Sequence, residues 1–349
     1  MMKKNDTRTD MSSLDLNEAR AFLAALGEPA YRGGQVFEWI NRRFAAGFGD
    51  MTNLPAALRR KLEETARLPR AALIKRIDSD DGLSTKYLLE LEKSSIIEYV
   101  LMNYDYGRTV CVSTQAGCRM GCAFCASGVN GLERNLTAGE ICAQVYNAQR
   151  GLPPGARAAN VVLMGCGEPL DNYENVLKFI SIINSPAGIN IGQRGITLST
   201  CGLVDKIYRL AEEKLQITLA VSLHAPNDAI RRELMPIART YGIQETLKAC
   251  ARYAEKTGRR VSYEYALAGG VNDSPENARE LASRLKNTLC HVNLINLNTV
   301  AESALKPSRR VNEFKNALAE QGLAVSVRRS LGLGIDAACG QLRARELES

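Results

Sequence analysis

Three cysteines fall within eight residues in the stretch Gly117-Cys118-Arg119-Met120-Gly121-Cys122-Ala123-Phe124-Cys125. Spaced C-x3-C-x2-C, three thiolates this close together can wrap one inorganic centre, and the two glycines let the backbone curl around it. The count is informative. A closed structural zinc site or an electron-carrier iron–sulfur cluster takes four protein ligands. Three thiolates leave one corner of a cluster open to another molecule. A zinc loop that borrows a distant fourth ligand, or three buried thiols without a metal, are the alternatives this stretch leaves open on its own.

Other residues with chemical potential sit just past candidate strands. Thr109–Thr114 precedes the cysteine loop, and Asn160–Met164 precedes Gly165-Cys166-Gly167-Glu168-Pro169. Gly195–Ser199 ends in Ser199-Thr200-Cys201-Gly202, and Ile217–Leu223 ends in Ser222-Leu223-His224-Ala225-Pro226. Val261–Leu267 and Val292–Leu297 follow, the latter ending at Asn298. Helical periodicity fills the intervals near 137–150, 173–184, 204–214, 244–256 and 275–286, with a last helix at 309–320 and a last strand at 324–328. Thr137-x-x-Glu140 is a capping box, and Ser274-Pro275 sets a cap before a first-turn proline. Six strand–helix units predict an α/β fold with a parallel sheet covered by helices, either a partial (βα)6 TIM-type barrel or a doubly wound sheet. In a barrel the strand ends converge on one face, where active sites are built.

Two further thiols stand out by context. Cys111 lies in the first core strand at an odd offset from Cys118, which faces it into a barrel interior. Cys339 lies in Ile335-Asp336-Ala337-Ala338-Cys339-Gly340-Gln341-Leu342, a small-residue segment that suits a mobile, reactive nucleophile. An ordinary buried thiol is the other reading, and it is the one taken for Cys142, Cys250 and Cys290.

The elements upstream differ. Residues 1–13 read as a loose polar tail. Leu16–Leu26, Tyr31–Phe44 and 55–68 read as three helices, a small basic N-terminal domain over residues 1–71. Residues 72–108 read as a β-hairpin connection around Asp80-Asp81-Gly82. The core then spans 109–343, with a tail at 344–349. The 349 residues are 45% hydrophobic and 24% charged, with a net charge of +7. That balance suits a polyanionic partner such as RNA. Ten cysteines with no export signal predict metal or catalytic use in the cytoplasm rather than a disulfide framework. No apolar run is long enough to span a membrane. Two histidines, His224 and His291, nearly exclude a multi-histidine metal site or a Ser-His-Asp triad.

Taken together, these stretches resemble the radical S-adenosylmethionine RNA methyltransferases that act on C2 of adenine (the RlmN type). The matching segments are the Cys111–Cys118 strand, the cluster loop, Gly165-x-Gly-Glu-Pro169, Leu219–Asn227, Leu234-Met-Pro-Ile237 and Asp336–Gln341, within residues 15–343. The resemblance implies a radical-SAM barrel carrying one 4Fe-4S cluster on Cys118, Cys122 and Cys125. It implies S-adenosylmethionine held by Gly167, Glu168, Ser199, Ser222, Leu223, His224 and Asn298, with two molecules consumed per turnover. Cys339 would take a methyl group, a 5′-deoxyadenosyl radical would activate it, and the resulting carbon radical would add to C2. Glu98, at the family position of the proton acceptor, would remove the C2 proton; read without the resemblance, it is a solvated strand residue. Cys111 would then attack the sulfur of Cys339, forming a transient disulfide and releasing methylated RNA. The implied partners are 23S rRNA before subunit assembly, tRNA, and an electron donor such as flavodoxin, for a monomeric cytoplasmic enzyme. The rivals are a C8-methylating resistance enzyme and a non-catalytic iron–sulfur RNA-binding protein. The chain departs from the family pattern at Cys166, where Met is usual, at Gly334, where Asp is usual, and at Thr299, where Pro is usual.

Overall fold

The computed structural model describes residues 6–69, 71–301 and 303–342; the proposed tail at 344–349 lies outside them. The chain begins with a short strand β1 (Thr9–Asp10), then α1 (Leu16–Ala25), α2 (Tyr31–Asn41), α3 (Ala56–Thr65) and β2 (Ala66–Arg67), which pairs in parallel with β1. Asp15 and Glu18 form a capping box at the start of α1. The expectation of a loose tail is corrected for residues 6–13. Met11 is buried in a 3-10 turn, and the Ser13 hydroxyl accepts the Gly139 N–H at 2.9 Å, fastening this segment to the core.

Next come β3 (Ala72–Asp78), β4 (Ser84–Glu90), β5 (Ile96–Tyr104) and β6 (Gly107–Cys111), an antiparallel meander. The small hairpin β7 (Gln115–Gly117) and β8 (Leu132–Asn135) brackets the cysteine loop. Strand–helix alternation then runs α4 (Ala138–Arg150), β9 (Ala158–Leu163), α5 (Tyr173–Asn184), β10 (Ile196–Thr200), α6 (Val204–Glu212) and β11 (Thr218–Ser222). It continues through α7 (Asp228–Leu234), α8 (Ile243–Thr257), β12 (Val261–Leu267), α9 (Pro275–Leu285), β13 (Cys290–Asn296), α10 (Val311–Glu320) and β14 (Val325–Val327).

One ten-stranded sheet results, in the order β14-β13-β12-β11-β10-β9-β6-β5-β4-β3. Strands β6 and β9–β14 are parallel, so six strand–helix units and a closing strand make the partial barrel. The 72–108 stretch is part of the same sheet, and a boundary at 108/109 falls inside β6. The apolar outer faces of the strands pack under the helices with Phe179, Ile183, Tyr253, Leu281 and Phe314. After β14 the chain runs back across the inner face of β5 and β6. Leu331, Ala337 and Leu342 pack there on Val100, Met102 and Cys111. Residues 328–342 are thus a strap across the open side of the barrel. Among the described residues, no helix is long and apolar enough to cross a membrane.

Candidate active site

The cysteine loop is shaped by backbone constraint. Gly117 has φ +73°, and a Cβ there would stand 2.0 Å from the Gly131 carbonyl oxygen. The hairpin can therefore close over the loop only with glycine at this position. Cys118 N–H bonds Gly131 O at 2.9 Å, and Ala123 N–H bonds Leu234 O at 2.9 Å, tying the loop to the end of α7. That short helix was not foreseen in the sequence; Asn227 caps it by accepting the Ile230 N–H.

Cys118, Cys122 and Cys125 all line one open cavity of about 160 Å³. Burial pushes the Cys118 thiol up to about 12 and raises Cys122 and Cys125 as well. A positive centre would reverse that direction, because a coordinated thiol gives up its proton. Among the described residues, no group of three His, Cys, Asp or Glu side chains is placed to hold a single metal ion. The thiols border a space rather than a point.

The strand ends supply the opposite wall of this cavity. Gly167, Glu168, Ser199, Ser222, His224 and Asn298 all line it, from four different strands. Glu168 is buried, and its two oxygens accept N–H groups from Leu170 (3.0 Å) and Cys201 (2.7 Å). Burial raises its pKa, so a cation arriving beside it would be held strongly as the carboxyl ionises. His224 is buried with φ +53°, and its Nδ1 accepts the Ala266 N–H at 2.8 Å. Desolvation lowers its pKa to about 3. The ring is therefore neutral, its proton sits on Nε2, and it offers the cavity a donor. Phe124 of the cysteine loop meets this imidazole edge-on, with ring centroids 4.7 Å apart.

Two expectations change, those for Leu223 and Glu98. Leu223 does not line the cavity; strand alternation turns its side chain into the core, so only its peptide faces the neighbouring strand. Glycine at 165 and 167 answers first to packing within the fold. A Cβ on Gly165 would meet the Val112 carbonyl at 2.7 Å, and one on Gly167, at φ +106°, would meet the Gln115 side chain at 2.6 Å. Glu98 is no solvated strand residue: it is buried and pairs with buried Lys86 at 3.3 Å. It lines a separate cavity with Ser127 and Cys166, behind the cysteine loop.

The two lone thiols do come together. Cys111 and Cys339 are both free and line one small pocket under the strap, and Cys339 also lines the main cavity. Burial, with Cys339 adding to it, pushes the Cys111 thiol up to about 12, while Arg328 opposes the shift. Asn298 donates to the Cys339 carbonyl at 2.9 Å, joining strap to strand end. The sequence reading missed Arg328 and Glu264, which also line the main cavity. Glu264 was detectable, as an acidic residue on the inward phase of an otherwise apolar strand.

The donor set suits the groups implied by the resemblance: three soft thiols on one side, with a buried carboxylate, hydroxyls and a neutral imidazole donor opposite. Comparison with known proteins agrees. A family model described as "Radical SAM superfamily" matches residues 112–282, and one described as "Ribosomal RNA large subunit methyltransferase N-terminal domain" matches residues 9–68. The chain is 52% identical over 343 residues to a "Probable dual-specificity RNA methyltransferase RlmN" of Symbiobacterium thermophilum, covering 97% of this chain and 92% of that one. It is 49% identical over 347 residues to the protein of that name in Desulforamulus reducens, covering 99% of each. A crystal structure of a radical SAM methyltransferase from Sphaerobacter thermophilus superposes with a TM-score of 0.92 at 47% identity, over 96% of this chain and 99% of that one. The chain therefore belongs to the RlmN family of radical S-adenosylmethionine RNA methyltransferases, which work with a 4Fe-4S cluster and S-adenosylmethionine.

Proposed function

We propose that this enzyme methylates C2 of an adenine in 23S rRNA, and of the adenine beside the tRNA anticodon, using Cys339 as methyl carrier and Cys111 as resolving thiol. The observation that carries this reading is the shared pocket: Cys339 borders both the cavity of the cysteine loop and the pocket of Cys111. When bound, the cluster and S-adenosylmethionine supply the methyl group and the radical chemistry. Cys118, Cys122 and Cys125 hold the cluster. Glu168 receives the cofactor's ammonium, while Ser199, Ser222, His224 Nε2–H and Asn298 receive its carboxylate and hydroxyls.

C2 of adenine is an electrophilic ring carbon, so an ordinary nucleophilic attack on a methyl donor does not reach it. Cys339 gives the methyl carbon a covalent anchor from which it joins the base. Glu98 takes the C2 proton, drawing on a cavity separate from the thiol pocket. That cavity shares Ser127 with the main one. The Cys111 thiolate then attacks Sγ of Cys339; the S–S bond forms, the carbon–sulfur bond to the product breaks with its electron pair going to the methylene carbon, and that carbon takes up a proton to become the methyl group. The buried Cys111 thiol resists ionisation, and Arg328 is the cation placed to ease it.

The target bases lie in folded RNA and must be splayed into the cavity. The basic N-terminal helices supply phosphate contacts. The enzyme works as a cytoplasmic monomer with a flavodoxin-type electron donor. Anaerobic reconstitution with labelled S-adenosylmethionine and total RNA, followed by nucleoside mass spectrometry, tests the reading. It requires C2-methyladenosine; C8-methyladenosine would assign the enzyme to the resistance type, and no methylated adenosine would overturn both.

A further inference from the structure

The tip of the hairpin joining β5 and β6 is Tyr104-Asp105-Tyr106-Gly107, with Tyr104 paired to Gly107 across a two-residue loop. Loops this tight favour small polar residues, yet here the second loop position carries an aromatic ring. The Tyr106 ring lies on the Tyr104 ring, with centroids 4.9 Å apart and planes within 9°. Tyr106 is 73% exposed, the most open large hydrophobic side chain among the described residues. Tyr104 is half-buried: it lines the pocket of Cys111 and Cys339, and its hydroxyl donates to the Met102 sulfur at 3.4 Å. The stack therefore runs from the wall of the thiol pocket out to solvent.

Two guanidinium groups accompany it. Arg328 and exposed Arg329 line the same pocket, and Arg328 reaches the Met164 sulfur at 3.3 Å from the strap side. An aromatic face continuous with a reactive pocket and edged by cations matches what single-stranded nucleic acid requires. Bases stack on rings without sequence preference, while cations take the phosphates.

We infer that Tyr106, backed by Tyr104 on the wall of the pocket that Arg328 and Arg329 also line, is a stacking platform for an unpaired RNA base adjoining the target adenine. The inference rests on the RNA methylation proposed above and adds the surface that holds the splayed strand. Since the target base must reach Cys339, a neighbouring base lies within reach of the ring stack that Tyr104 roots in the wall of the same pocket. The platform reads base stacking rather than base identity, so one surface serves RNAs of different sequence.

The test uses the full-length, cluster-loaded enzyme and an RNA stem-loop whose loop adenine is flanked by fluorescent aminopurine. Tyr106→Ala is expected to weaken binding on the order of tenfold and to abolish the stacking quench of the aminopurine. Tyr106→Trp is expected to retain both. Tyr208→Ala removes an exposed tyrosine from the outer helix α6 and should match wild type. Wild-type affinity and quench in Tyr106→Ala would overturn the platform while leaving RNA methylation by the native enzyme standing. A native enzyme that neither binds nor methylates RNA would overturn both readings. Tyr106→Ala that holds RNA normally but is no longer reduced by a protein electron donor would assign the rings to that donor and overturn their assignment to RNA.

Discussion

The wall that carries Glu168 and His224 and the strap that carries Cys339 face the same cavity but are held in different ways. On the wall, the functional side chains are themselves locked. Glu168 accepts two backbone N–H groups, His224 accepts one, and Asn272 grips the His224 carbonyl at 2.7 Å. Arg231, fully buried, holds the Cys201 carbonyl at 2.8 Å from behind. On the strap, Leu331, Ala337 and Leu342 pack on the barrel and the backbone around Cys339 is held by hydrogen bonds. Ala126 N–H bonds the Gly340 carbonyl, Ser127 bonds that of Leu342, and Asn298 bonds that of Cys339. Its regular structure is a single 3-10 turn, with Leu333 51% exposed and Asp336 at φ +47°. A cofactor that must sit in one pose calls for locked side chains. A thiol with the carrier role proposed for Cys339, meeting a methyl donor, a base and a second thiol in turn, calls for a segment that can shift. The two surfaces meet at Asn298, which lines the cavity and donates to the Cys339 carbonyl.

The sharpest way to break this division is to remove the strap's thiol. Cys339→Ala is expected to abolish RNA methylation, while S-adenosylmethionine still binds the intact wall. Cys111→Ala is expected to leave RNA covalently attached to the protein, detectable as a mass shift on intact-protein spectra. Normal turnover by Cys111→Ala would show that the two thiols do not act in sequence and that their shared pocket is a packing feature.

The locked wall makes a thermodynamic prediction. The folded His224 has its pKa lowered to about 3 by burial, against 6.5 unperturbed. Between these values the unfolded chain binds a proton that the folded chain refuses, so stability falls as pH falls from about 6.5 toward about 3. The slope is about 1.4 kcal/mol per pH unit, reaching about 4–5 kcal/mol at the lower end. His224→Asn tolerates the left-handed backbone and removes the titrating group. The gap between its stability and that of the native protein should narrow on acidification in urea titrations; a parallel pair of curves would refute the buried neutral imidazole.

Glu98 shows how far the sequence could be read. Its strand lies in the 72–108 stretch read as β-structure, and the limits expected for β12 and α5, Val261–Leu267 and 173–184, match the structure. Burial was not plain, because the cover over Glu98 comes from elements remote in sequence, with Lys86 beside it on β4. The same limit explains Met11, buried by a single turn too short to show a period, and Arg328, half-buried only because the chain folds back after β14. The cysteine loop was legible because its chemistry is local. The thiol pocket was legible only by family resemblance, since nothing between residues 111 and 339 announces that they meet. Glu98→Gln sharpens the point. With the base removed, methylated Cys339 should still form, while product release slows on the order of a hundredfold. Unchanged release would return Glu98 to a structural role as partner of Lys86.

The smallest expected effect lies at the joint. Asn298→Ala deletes the bond to the Cys339 carbonyl at 2.9 Å while leaving the strap's bonds to Ala126 and Ser127 in place. One neutral hydrogen bond contributes about 1 kcal/mol net, so amide exchange over the strap should quicken about fivefold without a matching change in β10 or β11. If the wall and strap were one rigid body, loosening would spread to both or appear in neither. Confinement to the strap would establish that the cavity has one fixed side and one movable side, with Asn298 passing between a cofactor contact and a latch.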